Sequence, residues 1–490
     1  MINALQKALS ELECYPRLKK AIADNSCAYV CGLSAAAKAQ LIFALSNESE
    51  RPAVIIVPDE KDTLSMKHDL EVLFGGSIYV YPRRDYVFDG VDSFSKESTH
   101  LRLAALDALI SGTAKAVVAS AAACLDTTIA PDLLKERTLR IRAGEEYSPQ
   151  AVSDALIKGG YTRVDNVEGV SQFSVRGDII DFYPPSDSPI RLDFFDTTLE
   201  SINRFDVFTQ RRGEAIKETT VTPCIECAPE SIESFSEALT AFAKKYPNAQ
   251  DDIERLSSFG RLASYDKYQK LIMPKAATLF DYCKDALFFV TEPHTVGERA
   301  KEASTAWREE QTALIESGVL PGGENSLRLK YSQFTALVDS ISSFLLEDLR
   351  RQSGKFKYDF EEQIIVRTTG AWQGGLSHLN ELIASYRRKK ARILLFAGSR
   401  KNAEYIASYL SEEGIPARFL TSPDSLDDGI VTVTDGFYSS GLEFESISTA
   451  IITCGVLPYT KKKRAKLHKK GASVSSLADL KVGDYVVHSY

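Results

Sequence analysis

The chain has 490 residues, 44% of them hydrophobic and 26% charged, with a formal net charge of −8. That balance lets ordinary globular domains bury a core, and at roughly 150 residues per domain the length suggests about three. It excludes a global positive field, so any nucleic-acid contact is local. The eight cysteines are scattered and do not read as a disulfide framework. Cys224 and Cys227 form a lone CxxC with no second pair to complete a zinc site, and read as reduced thiols beside a strand end. The N-terminus lacks the apolar core of a signal peptide, and nothing approaches roughly 18 consecutive apolar residues, so a cytoplasmic protein without membrane contact is expected.

Residues 1–125 alternate helices with apolar strands: Cys27–Cys31, Val54–Val57, Ile78–Tyr81 and Ala116–Ala119, with helices at Ala39–Leu45, Asp62–Leu73 and around Leu101–Ile110. Continuous apolar strands separated by helices imply a parallel α/β sheet. From about Tyr161 the period changes to two, with Phe173 and Val175 alternating with Ser174 and Arg176, which marks a β-rich insert over 126–212. Residues 213–345 read as mostly helical, with a strand at Leu287–Val290 that rejoins the first sheet. Residues 346–456 form a second α/β unit, whose 436–453 segment reads as a scaffold or interdomain contact. A basic stretch, 457–476, contains KKKRAKLHKK and reads as a solvated linker or a local phosphate-contacting patch. Residues 477–490 end in a strand pattern without a partner, so the chain is expected to be cut inside a domain.

The stretch VCGLSAAAKAQ (30–40) follows the first strand where a phosphate-binding loop belongs. A working loop reads G-x-x-x-x-G-K-[ST], its glycines opening the backbone to phosphate, its lysine meeting the terminal phosphates and its hydroxyl holding magnesium. Gly32 and Lys38 keep the first and seventh positions, but Ala37 replaces the second glycine and Ala39 the hydroxyl. In the apolar strand LFFVTEPHTV, Thr291 stands where a metal-orienting acid belongs, and Glu292 follows it. Nucleotide hydrolysis is therefore not expected here, and Lys38 is expected to pair with an acid or face solvent. No catalytic residue and no metal site is assigned.

Residues 159–212 are more specific: GYTR, FSVRGDIIDFYPP, IRLDFFD and RFDVFTQR occur in order. This segment closely resembles one shared by the excision-repair protein UvrB and the transcription-repair coupling factors. YPRRDYVFDGVDSFSKESTHLRLAAL (81–106) and AVVASAAACL (116–125) fit the same family, and LADLKVGDYVVH (477–488) resembles the opening of the coupling factors' RNA-polymerase-interacting domain. The degenerate loop favours the coupling factors over UvrB, which needs an intact one. The resemblance implies a multidomain α/β fold: a degenerate P-loop, helicase-like parallel-sheet domain, an inserted β-rich domain that binds UvrA, and a second α/β domain. For the complete protein it implies an ATP-driven, magnesium-dependent translocase on double-stranded DNA that displaces stalled RNA polymerase. The alternative is a divergent UvrB-type helicase.

Carried over by motif, the UvrA contacts are Arg163 in GYTR, Arg176 in FSVRG and Phe182 in DIIDF. Arginines fork carboxylates, and an aromatic beside them is a common anchor composition. Strand alternation turns Arg176 away from Phe173 and Val175, towards solvent. The competing readings are an Arg176 pair with Asp178 or Asp181 and a core role for Phe182. Arg191–Asp193 and Arg204–Asp206 read as structural pairs.

Overall fold

The computed structural model describes residues 2–88, 96–185, 188–262, 264–321, 327–351, 356–373 and 375–454. The basic stretch at 461–470 and the strand pattern at 477–490 lie outside the described residues. In chain order the first strands are β1 (Ala28–Cys31), β2 (Ala53–Val57), β3 (Ile78–Tyr81) and β4 (Ala116–Ser120). The insert supplies β5 (Leu139–Arg142), β6 (Thr162–Arg163), β7 (Gln172–Arg176), β8 (Ile179–Phe182), β9 (Ile190–Phe195), β10 (Thr198–Phe205), β11 (Arg212–Ile216) and β12 (Glu218–Val221). Then come β13 (Leu287–Thr291), β14 (Ser343–Glu347) and β15 (Phe360–Gln363). The last unit holds β16 (Arg367–Thr369), β17 (Arg392–Phe396), β18 (Ala417–Phe419), β19 (Val431–Thr434), β20 (Gly441–Phe444) and β21 (Thr449–Thr453).

The first sheet has seven parallel strands in the order β15-β1-β14-β13-β2-β4-β3. Its central strands are apolar without alternation and fully buried, as a sheet covered by helices on both faces requires. The helices that enter it are α1 (Asn3–Leu9), α2 (Tyr15–Asp24), α3 (Ala35–Ser49), α4 (Glu60–Phe74) and α5 (Glu97–Ser111). Asp59 and Asp62 cap the start of α4 reciprocally, and Gly75 in the left-handed region ends it.

The insert is a six-stranded sheet, β11-β10-β9-β8-β7-β6, antiparallel except for β6 against β7, with β5 and β12 paired beside it. One face buries Phe173, Ile180, Phe182, Ile190 and Leu192 against Val152 and Leu156 of helix Pro149–Lys158. Helices Ile232–Ala243 and Gln250–Phe259 build a small separate core around Phe235, Leu239 and Tyr268.

The last sheet, β16-β20-β21-β17-β19-β18, is mixed. It lies against α3 and α4, and its Phe396, Tyr438, Leu442 and Phe444 join the core cluster of the first sheet. Helix α3 is therefore covered on all sides, with every residue from Ala36 to Ser46 buried. A helix that is apolar all round is the sequence counterpart of that position. Polar bonds fix the junction. Tyr438 Oη donates to the Ala36 carbonyl (2.6 Å), Ser439 donates to both carboxylate oxygens of Asp69 (3.0 and 2.6 Å), and Arg392 forks Glu11 (2.7 and 2.6 Å). The 436–453 segment is thus an interdomain contact.

Strand pairing departs from the sequence-based limits at 125, 212 and 345. Helix Pro131–Arg137 places Leu134 in the first domain's core, so residues just after 125 still belong there. The insert continues to Val221, because β11 pairs with β10 and β12 with β5. Both β14 and β15 flank β1 in the first sheet, so that sheet is completed only at Gln363. These partners lie far away in the chain, and local periodicity does not reveal them.

Candidate functional site

The loop after β1 has a strand–loop–helix setting, but its donors are engaged within the chain. Gly32 has φ +88°, and a Cβ there would stand 2.2 Å from the Ile364 carbonyl oxygen. Its N–H donates to the Asp348 carbonyl (3.0 Å), and that of Leu33 to the Glu347 carbonyl (3.1 Å). Residues 347–348 and 364 thus press on the loop that would have to open round a phosphate. Lys38 is 3% exposed, and its Nζ is paired with Glu292 Oε1. The same oxygen accepts the Asp348 N–H at 3.2 Å. Ala37 and Ala39 are packed in the core, and Thr291 donates its hydroxyl to the Ile56 carbonyl (3.2 Å). Of the two expectations for Lys38, the pair with an acid is what the fold contains. No hydroxyl at position 39 and no carboxylate at 291 is available to magnesium, and the lysine is already neutralised. The residues present do not fit a nucleotide.

Beside this loop Glu347 is fully buried at the end of β14. Tyr29 Oη donates to its Oε2 at 3.3 Å, and Arg351 Nε lies 3.9 Å from Oε1. Burial, reinforced by the charge of Glu292, pushes its carboxyl up to about 7.

On the insert, the face opposite the apolar core is polar and rich in arginine. Arg163 is exposed at the open edge, on strand β6, where its register with Phe173 gives it the parity of the core face rather than that of Arg176. Arg176 keeps 42% of its side chain exposed, while its Nη2 is paired with Asp181 and its Nη1 donates to Asn166 Oδ1 (3.2 Å). Asp181 is completely buried and is also forked by Arg191, from Nε at 2.7 Å and Nη2 at 2.8 Å. One carboxylate therefore aligns two guanidiniums, and Arg176 is held in position with half its surface free. Phe182 does not share this face. It is fully buried, paired with Ile190 and Phe173, with its ring edge-on to Tyr161 at 6.2 Å. Adjacent strand positions point to opposite faces, so a core Phe182 follows directly from an Asp181 on the polar side.

Of the local ion pairs suggested by spacing, Arg191–Asp193 is replaced by other partners. Asp193 accepts from Arg212 Nη2 (2.5 Å), Ser201 Oγ (2.7 Å) and Asn203 Nδ2 (3.2 Å). Arg191 goes to Asp181. Asp206 accepts the Thr209 N–H (2.7 Å) and hydroxyl (2.9 Å) and the Phe208 N–H (3.1 Å), which hold its carboxyl below the usual range. Asp181 is the direct cross-strand neighbour of Arg191, and Ser201 that of Asp193, closer than residues two apart on one strand.

A buried charge cluster where the insert joins the first domain was not legible in the sequence. Arg102, fully buried on α5, donates to Glu226 from Nε (2.7 Å) and Nη2 (3.2 Å) and to Tyr81 Oη (2.5 Å). Asp126, on the chain leaving for the insert, accepts from Arg328 Nε (2.6 Å) and the Arg84 N–H (2.7 Å). Glu226, on the returning chain, also takes the Thr128 hydroxyl (2.5 Å). Both connections are thereby tied into one buried charge cluster, Glu226 through Arg102 and Asp126 through Arg328. Cys224 and Cys227 flank Glu226, and burial pushes both thiols up to about 12, which leaves them unreactive. No metal-binding cluster occurs among the described residues.

A family model described as the UvrB interaction domain matches residues 139–226, the span from β5 to the Arg102 clamp. The transcription-repair-coupling factor of Bacillus subtilis (strain 168) is 26% identical over 485 residues. Those of Staphylococcus epidermidis (strain ATCC 12228 / FDA PCI 1200) and Staphylococcus haemolyticus (strain JCSC1435) are 25% and 27% identical. In each case 94% of this chain is covered, and it spans 41% of the length of the relative. The chain thus matches the UvrB interaction domain over residues 139–226 and is similar along nearly its whole length to transcription-repair-coupling factors.

Proposed function

We propose that this chain is the UvrA-recruiting module of a transcription-repair coupling factor, acting in transcription-coupled nucleotide excision repair in the cytoplasm. The observation that carries the reading is the polar face within the matched interaction domain, where buried Asp181 aligns Arg176, together with exposed Arg163 on the adjoining open edge. Guanidiniums fixed in advance lose little freedom when they meet a partner's carboxylates. Phe182 supports that face from the core and is not proposed as a contact. The module acts as an adaptor without nucleotide chemistry, which the engaged loop amides and the Lys38–Glu292 pair support. The complete protein would be an ATP- and magnesium-dependent translocase on double-stranded DNA that displaces stalled RNA polymerase, with its motor in the part of the relatives that this chain does not span.

The test is titration of the chain with purified UvrA. Wild type binds, and Arg163→Ala with Arg176→Ala weakens binding by roughly 100-fold, about 1–2 kcal/mol for each lost guanidinium contact. Wild type that fails to bind refutes the adaptor. Micromolar ATP binding in the presence of Mg²⁺ refutes the closed loop and favours a UvrB-type enzyme.

A further inference from the structure

Phe208 is 93% exposed, the highest value among the large exposed hydrophobic side chains of the described residues. It does not sit on a loose loop. It occupies the β10–β11 turn, closed by Asp206 N–H to the Arg211 carbonyl (3.1 Å) and Gln210 N–H to the Asp206 carbonyl (2.7 Å). The Asp206 carboxylate adds the three bonds described above. Gln210, at φ +57°, donates its amide to the Val167 (3.2 Å) and Val207 (2.8 Å) carbonyls. Arg191, the residue that forks Asp181, donates to the Gln210 carbonyl at 3.3 Å. The turn is therefore tied to the arginine face and to the 164–170 loop, yet it holds a phenyl ring in water.

A flexible apolar side chain can fold back onto its own surface. A fixed backbone narrows the surface its ring can reach, and the hydration cost of the 93% exposed ring of Phe208 is recovered when a partner covers it. We propose that Phe208 is an apolar anchor for the protein partner that docks on the arginine face. The complementary feature is a hydrophobic pocket with acidic groups on its rim. The proposal rests on the UvrA-docking reading of that face. The charge fits: Asp181 neutralises one of its two guanidiniums, leaving exposed Arg176 with residual positive charge, and Arg211 is exposed in the same turn as Phe208. Exposed Asp165 and Glu168 on the adjoining loop offset part of it, so the pocket is apolar first and acidic only at its rim.

The test compares Phe208→Ala, Phe208→Leu and the Arg163→Ala plus Arg176→Ala variant in titrations of the full chain with purified UvrA at two salt concentrations. Phe208→Ala is expected to weaken binding by roughly 10- to 100-fold, as a buried aromatic anchor does, and Phe208→Leu by much less. The Phe208→Ala loss keeps its size at high salt, whereas the arginine loss shrinks. Unchanged melting temperatures show that the exposed ring does not support the fold. If Phe208→Ala binds like wild type while the arginine variant does not, the anchor is refuted and the docking reading stands. If wild type does not bind UvrA, both fall. A Phe208-dependent dimer in sedimentation assigns the ring to a second copy and overturns the proposal.

Discussion

Glu292→Ala tests whether the remnant phosphate loop is held shut by its own lysine. Lys38 is 3% exposed, so removing its carboxylate strands an ammonium that water cannot reach. Breaking a fully buried pair costs about 3–5 kcal/mol; Glu292 is 26% exposed, which brings the expectation down to about 2–3 kcal/mol. Glu347 nearby supplies part of the missing charge by ionising more readily. Lys38→Met removes the charge but fills similar space, and is expected to cost less than about 1 kcal/mol. The double variant should resemble Lys38→Met alone, giving a coupling of about 2 kcal/mol. The chain has two tryptophans, Trp307 in the first domain and Trp372 in the last unit. In a Trp372→Phe background, Trp307 fluorescence during urea unfolding reports on the first domain. A Glu292→Ala midpoint equal to wild type, or strictly additive single variants, would refute the buried pair.

The raised carboxyl of Glu347 makes stability depend on pH. Its native pKa of about 7 exceeds the ordinary glutamate value of 4.5, so the folded state holds the proton more tightly. Stability on the order of 2 kcal/mol is fully present below the lower value and is lost as pH rises through about 7. Glu347→Gln should flatten that part of the pH–stability curve, and an unchanged curve counts against the assignment. Phe182→Ala is expected to destabilise the insert by about 3–4 kcal/mol, read as an early melting transition, because it empties a core site. Circular dichroism of this variant separates a folding defect from a lost contact. Arg102→Met strands Glu226, while Asp126 keeps Arg328, and should cost about 3–5 kcal/mol, with Glu226→Gln recovering part of it. If Arg102→Met melts like wild type, the clamp does not secure the insert.

The seven-stranded sheet shows where sequence reading succeeds. Strands β2, β4 and β13 were legible because a strand buried on both faces must be apolar without alternation. The insert was legible because a half-solvated antiparallel sheet imposes period two. The departure of the loop from the working motif was also local: Ala37, Ala39 and Thr291 lack the groups that motif uses, whatever surrounds them.

Tertiary structure decided the partners. Lys38 finds Glu292, 254 positions along the chain, because β1 and β13 flank β14 in the same sheet. Asp181 rather than Asp193 takes Arg191, because cross-strand distance outweighs sequence distance. Phe182 lies inward by the parity of one strand, while Phe208 is turned outward by a network of hydrogen bonds that no residue pattern announces. The same physics explains the division. Periodicity records whether a side chain meets water or protein, a property each residue carries locally. Which charge meets which, and which ring is left uncovered, depends on strand register and packing between segments hundreds of residues apart.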